Sequence, residues 1–127
     1  MDNPVYAIEV TVRPQYLSKE SRPAEQRFVH SYSVTLTNTG NIGAKLLSRH
    51  WIITNGRNLK TQEVRGDGVV GQQPHLAPGQ SYSYTSGSVM DSEVGSMHGE
   101  YLMQADDGHQ FNAIIPAFTL AVPNSLN

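Results

Sequence analysis

From Arg27 to Asn38 the chain alternates without a break. Phe28, His30, Tyr32, Val34 and Leu36 fall on one side, and Val29, Ser31, Ser33, Thr35 and Thr37 on the other. A period of two is that of a strand with one buried face. Wound as a helix, the same residues would scatter their apolar side chains around the circumference. The pattern recurs along the chain. In Tyr6 to Val12, Tyr6, Ile8, Val10 and Val12 share a face; in Ala44 to Thr54, Leu47, Trp51 and Ile53 oppose Ser48, His50 and Ile52. Leu59 to Val64, Gln80 to Ser88 (Tyr82 with Tyr84), Gly99 to Ala105 (Tyr101 with Met103), Gln110 to Ile115 and Phe118 to Val122 complete the set. No segment holds a helical period over two turns.

Turn chemistry separates these segments. Asn38-Thr39-Gly40-Asn41 and Asp107-Gly108 are turn sequences, and Pro78-Gly79 fits the two central positions of a type II turn. Asn55-Gly56 predicts a type I′ hairpin, whose central residues both need positive φ. Leu17 to Gln26 and Met90 to Ser96 read as loops. Roughly seven to eight short strands with regular turn signals point to an all-β fold, an antiparallel immunoglobulin-like β-sandwich. Trp51 on the third strand and Tyr101 at the start of the sixth stand where such a fold places them. The expected core centres on Trp51, packed with Leu47, Val34, Leu36, Tyr101 and Met103.

Length bounds the architecture: 127 residues make one domain, taken as residues 1–127, with enough chain for a core. With no cysteine there is neither a disulfide nor thiolate chemistry. No apolar run reaches the ~20 residues of a membrane helix, so no membrane insertion is expected. Met1-Asp2-Asn3-Pro4 lacks the basic flank and apolar stretch of a signal peptide, which makes the cytoplasm the default location. All 9 Lys and Arg lie between Arg13 and Arg65, while Asp67, Asp91, Glu93, Glu100, Asp106 and Asp107 follow with no cation among them. In a sandwich the two halves interleave, so this asymmetry need not become a patch. With a net charge of −2, nucleic acid is not an expected partner.

The most particular stretch runs from Arg65 to Gly79. Gly66-Asp67-Gly68-Val69-Val70-Gly71 has the Gly-x-Gly-x-x-Gly spacing of a dinucleotide fingerprint. That fingerprint needs a helix after it to hold the pyrophosphate, and Pro74 and Pro78 forbid one. The stretch is therefore a glycine-rich loop between strands. If Gly66, Gly68 and Gly71 take left-handed backbone, their N–H groups could form a concave anion nest. Arg49, Arg57, Lys60, Arg65 and His75 would converge beside it, arginine forks suiting phosphate or carboxylate. The candidate ligand-binding residues are thus Arg49, Arg65, Gly66, Gly68, Gly71 and His75. The competing reading has the glycines serve tight turns and close packing, with their N–H groups already paired inside the protein.

Other chemistry finds little support. His30, His50, His75, His98 and His109 form no metal-binding spacing, and His30 reads as a satisfied, partly buried core histidine. No serine sits in a nucleophile elbow. Asp106 and Asp107 precede Gly108, where aspartate is favoured for backbone reasons. No catalytic residue, metal or cofactor is expected.

Three blocks, Ser48-Arg49-His50-Trp51-Ile52-Ile53-Thr54, Gln62 through Pro74, and Leu76-Ala77-Pro78-Gly79, with Tyr84-Thr85-Ser86-Gly87 and Gly99-Glu100-Tyr101, resemble the bacterial ApaG family, also called CorD. The resemblance runs from Val5 to Pro123. It implies a fibronectin type III-like sandwich, an association with cobalt and magnesium resistance or efflux, and a genomic setting beside a diadenosine tetraphosphate hydrolase. Similar eukaryotic domains are protein-interaction modules in F-box proteins and a DNA polymerase-interacting protein. The family supplies no catalytic residue to carry over. The expected function is a non-enzymatic protein-interaction module with a partner of unknown identity. The alternative is a weak binder of phosphate-rich anions such as pyrophosphate or a dinucleoside polyphosphate; monomer and homodimer are both open. The fold reading has a direct check: circular dichroism should show a strand spectrum, and a dominant helical double minimum would overturn it.

Overall fold

The computed structural model describes residues 5–123; the residues of the signal-peptide expectation, 1–4, lie outside them. The described residues form eight strands: β1 (Ile8–Tyr16), β2 (Phe28–Asn38), β3 (Ala44–Asn55), β4 (Thr61–Asp67), β5 (His75–Leu76), β6 (Ser81–Met90), β7 (Val94–Ala105) and β8 (Gln110–Ala121). Among the described residues the one helical piece is a 3-10 turn at Pro23–Glu25, within the expected polar loop. One sheet has the order β1-β2-β6, the other β4-β3-β7-β8, with β5 also on β3, and every pairing is antiparallel. This is the expected sandwich. Among the described residues no helix is long and apolar enough to cross a membrane. The charge halves do interleave, since β3, which carries Lys45 and Arg49, pairs along its length with β7, which carries Glu100.

The core forms where the alternating faces meet. Val34, Leu36, Tyr101 and Met103 are fully buried and Trp51 is 2% exposed, so the strand parity assigned to Trp51 holds. Its ring meets Tyr32, Phe118 and Tyr101 edge-on, with centroids 5.3, 5.9 and 6.4 Å away. Such edge contacts add to the area the rings bury. The outer face of the smaller sheet is polar, as alternation requires. There Ser33–Thr85, Thr35–Ser83 and Thr37–Ser81 join hydroxyls across β2 and β6 at 2.9, 2.9 and 2.7 Å.

Several expectations need correction. Leu47 is only half-buried, and Leu46 is the fully buried core residue. The register between β3 and β7 shifts between Leu46 and Ser48. This β-bulge lets even-numbered residues before it and odd-numbered ones after it face the same core. Asn55-Gly56 does not form a type I′ turn, since neither residue has positive φ. The hairpin closes through a longer loop, Asn55 N–H to Lys60 O at 2.9 Å, with Leu59 left-handed at φ 61. A side chain at Gly56 would strike the Val94 carbonyl at 2.4 Å, so close packing explains that glycine. Met90 to Ser96 is a tight turn between longer strands, not a loop. β8 runs through Pro116 on a sheet edge, where His98 alone opposes Pro116 and Ala117.

Two turns are as expected. Gly79 has φ 84 and Gln80 N–H donates to Ala77 O at 2.9 Å, a type II turn. Asp106-Asp107-Gly108 closes β7 onto β8 with Gly108 at φ 90. Behind the first turn sits the buried Asn38. Its side-chain amide donates to Ile42 O and Leu76 O, both at 2.9 Å, and its Oδ1 accepts the Gly40 N–H.

His30 is more deeply buried than the sequence suggests, at 1% exposure, and its Nε2 has no partner among the described residues. Burial holds its pKa below the usual 6.5. The unfolded chain therefore binds a proton more readily, and stability should fall as pH drops below the usual histidine value. Replacing His30→Phe should flatten the loss of urea midpoint between about pH 7 and about pH 5; an unchanged slope would show that other groups set it. Trp51→Ala should cost roughly 3–5 kcal/mol in the same measurement.

Candidate functional site

The glycine-rich loop is held by the extra residue in β3. Leu47 has no partner on β7. Its carbonyl accepts the Gly68 N–H and the Gln73 Nε2–H, each at 2.9 Å. On the same edge of β3, β4 pairs with Ser48 to Thr54 and β5 with Ala44 and Lys45. Leu46 N–H, lying between them, donates to Pro74 O at 2.9 Å. The loop thus crosses from one short strand to the next by docking on the bulge. Val69 is fully buried and anchors it in the core.

Arg49 projects on the Trp51 side of β3. Its Nη1 donates to Asp67 O at 3.0 Å and Gly68 O at 2.9 Å. A side chain at Gly66 would meet that guanidinium at 2.7 Å. Gly66 therefore lets Arg49 lie across β4, and its backbone is not left-handed. Beneath lies the Tyr84–Tyr101 hydroxyl pair, 2.5 Å apart. Burial pushes the Tyr84 hydroxyl up to about 12 and raises Tyr101 as well. Both phenols stay protonated near neutrality, so they serve as a buried bond rather than as bases.

The loop tip is the type I′ turn that was expected at Asn55-Gly56. Val69 N–H and Gln72 N–H bond reciprocally to Gln72 O and Val69 O at 2.8 and 2.9 Å. The central residues, Val70 and Gly71, have φ of 48 and 77. Gly68, at φ 62, would with a side chain strike Gln72 O at 2.3 Å, whereas open space surrounds Gly71. A β-branched residue in left-handed backbone is strained. Val70 is nonetheless 65% exposed and buries no side chain in return.

The candidate cations do not converge. Arg65 is the neighbour of His50 in register, one residue from Gly66, and so faces the opposite side of β4 from Arg49. It is exposed and makes no salt bridge among the described residues. His75 Nε2 bonds Asp106 Oδ1 at 2.8 Å, and the pair closes over Gly43. Arg57 and Lys60 flank the far end of the β3–β4 hairpin, roughly 20 Å along the strands. There a groove of about 540 Å³ is lined by Arg27, Asn55, Lys60, Gln62 and Asp91 among others. Arg49, Gly66 and Gly68 thus form one packed unit, with Gly71 at its tip, while Arg65 and His75 stand apart.

The sequence reading missed the Leu47 carbonyl, the Gln73 amide and the Val69 anchor. The cue for the last was present, since an apolar pair inside a glycine loop invites one member into the core. Three of the loop N–H groups, those of Gly68, Val69 and Gln72, already have protein acceptors. Among the described residues no three His, Cys, Asp or Glu side chains are placed to hold a metal ion. What the geometry presents is a stiff, pre-ordered finger with an apolar tip.

Residues 18–105 match the ApaG domain family. Protein ApaG of Aromatoleum aromaticum is 55% identical over 122 residues, 96% of this chain and 95% of that protein. Protein ApaG of Ectopseudomonas mendocina is 54% identical over 127 residues, all of both chains. A crystal structure of an ApaA protein from Bordetella pertussis, 45% identical, covers 98% of this chain and 100% of its own with a TM-score of 0.93.

The strain at the finger tip can be measured. Val70→Asn, which tolerates left-handed backbone, should raise stability by roughly 1 kcal/mol. The urea midpoint should rise with the slope unchanged; a lowered midpoint would mean that Val70 makes a compensating contact.

Proposed function

This chain belongs to the ApaG domain family, and on that premise we propose that it is a non-enzymatic interaction module that docks a protein partner on its glycine-rich finger. One observation carries the reading. The finger's shape is set by bonds within the protein, from Gly68, Val69 and Gln72 to internal carbonyls, while Val70 stands exposed at the tip. A surface ordered before binding loses little entropy on contact, and an exposed apolar side chain gains by being covered. In this reading Gly66, Gly68 and Arg49 shape the finger and Gly71 allows its tip. Arg65 and His75 lie at its margins as polar contacts. The setting is the cytoplasm. The association with cobalt and magnesium resistance or efflux is then an effect relayed through the partner.

A second reading has one observation in its favour. Among the described residues Arg65 is exposed without an ion-pair partner, next to a loop whose tip N–H groups, Val70 and Gly71, donate to no backbone carbonyl. That would suit weak, salt-sensitive binding of pyrophosphate or a dinucleoside polyphosphate.

Affinity capture from bacterial lysate separates them. The wild-type protein should retain a defined partner that Val70→Asp loses while staying folded. Capture indifferent to Val70→Asp, or turnover of a small molecule by the purified chain, would sink the module reading. Pyrophosphate titrated to millimolar concentration should leave the amide shifts of residues 66 to 71 unchanged, and movement there would favour the anion reading.

A further inference from the structure

The sandwich has sheet edges that differ in how they are protected. An edge strand presents a row of unpaired N–H and C=O groups, which proline, charge and bulges normally guard. β1 carries Pro14, and β8 carries Pro116 with two residues opposing one. β4, Thr61-Gln62-Glu63-Val64-Arg65-Gly66-Asp67, has neither proline nor bulge and among the described residues pairs only with β3; β6, the free edge of the smaller sheet, also lacks both but carries no charged side chain. β4 is charged, but in an ordered way. Glu63 and Arg65 lie two apart on the outward face and are both exposed.

We propose that the free edge of β4 pairs antiparallel with β4 of a second copy of this chain, about a two-fold axis through Val64. In that register Glu63 stands opposite the second copy's Arg65, and Arg65 opposite its Glu63. Thr61 meets Asp67, hydroxyl to carboxylate, and Gln62 meets Gly66. Directly opposed residues share a face in an antiparallel pair, and opposite charges there are favourable while like charges are not. The neighbouring registers that pair most of the strand fail on charge; an axis through Gly66, which sets Arg65 against Asp67, pairs only residues 65–67, and one through Gln62 only residues 61–63. An axis through Glu63 sets Glu63 against itself. An axis through Arg65 sets Arg65 against itself and Glu63 against Asp67. An axis between residues opposes outward side chains to inward ones. The contact is isologous, so it closes at two copies and does not propagate.

Two further features fit. Arg65 makes no salt bridge within its own chain among the described residues, while Glu63 reaches only His50, at 3.1 Å. Val64 also shares a small cleft of about 170 Å³ with Ser86, Gly87 and Ser88 of β6, the edge of the other sheet. Exposed ion pairs contribute little each, so the charges set register, and the contact should weaken with salt.

Sedimentation equilibrium on the full chain tests this. The wild type should dimerise reversibly, more weakly at high salt. Glu63→Arg alone and Arg65→Glu alone should each weaken dimerisation at least tenfold, because each sets like charges against each other. An equimolar mixture of the two variants should dimerise again, as should the double variant Glu63→Arg/Arg65→Glu. Recovery in the mixture also shows that both single variants are folded. A wild type that stays monomeric at millimolar concentration would overturn the proposal. So would single variants that dimerise as well as the wild type, or a mixture that fails to recover.

Discussion

One unpaired residue in the third strand governs this molecule. With Leu47 inserted, both Leu46 and Trp51 face the core, though their numbers differ by an odd count. Without it, one of them would turn outward, since a one-residue slip flips every side chain beyond it. The same insertion releases a carbonyl from the ladder. An unpaired backbone oxygen near a core is costly, and here the glycine loop supplies both of its donors, Gly68 N–H and the Gln73 amide. Core parity and loop position are therefore one constraint.

The residues around the loop read differently once that constraint is in place. Arg49 is a brace: its Nη1 donates to the carbonyls of both Asp67 and Gly68, and Gly66 is small so that the guanidinium can lie flat. Gly68 serves a turn and a close approach together. Within the Gly-x-Gly-x-x-Gly spacing Gly66 makes room for Arg49, Gly68 approaches the Gln72 carbonyl, and Gly71 supplies left-handed backbone at the turn.

Strand existence and core composition were legible because period two is a local property that side chains declare. Val34, Leu36, Tyr101 and Met103 needed no knowledge of partners. The bulge was not legible. Leu46 and Leu47 are chemically identical, and which one faces inward depends on a register set across the sheet by β7. The same holds for Asn55-Gly56, where the β3–β4 pairing and the Val94 backbone dictate a longer loop than the dipeptide alone favours. For the candidate site, the loop's place between strands is readable from Pro74 and Pro78, and packing is one of the two roles its glycines allow. The separation of the cations is not readable, because it depends on Arg49 and Arg65 sitting on opposed faces of neighbouring strands and on His75 being drawn to Asp106.

Asn38 has a consequence for how the chain folds. Its amide ties the end of β2 to Ile42 and to Leu76, while its backbone exchanges bonds with Gln80 and Gly79. No local segment can satisfy it. The smaller sheet must be paired, β5 must be seated on β3, and the type II turn must be closed before its polar atoms are all bonded. Until then a buried amide stands partly unpaired, which penalises near-native arrangements that have the strands but not their correct assembly. In a topology whose contacts join residues far apart in sequence, closure of such sites comes late and folding is slow. Asn38 thus works as a checkpoint, rewarding the single arrangement in which both sheets, the loop to Ile42 and the type II turn are in place together.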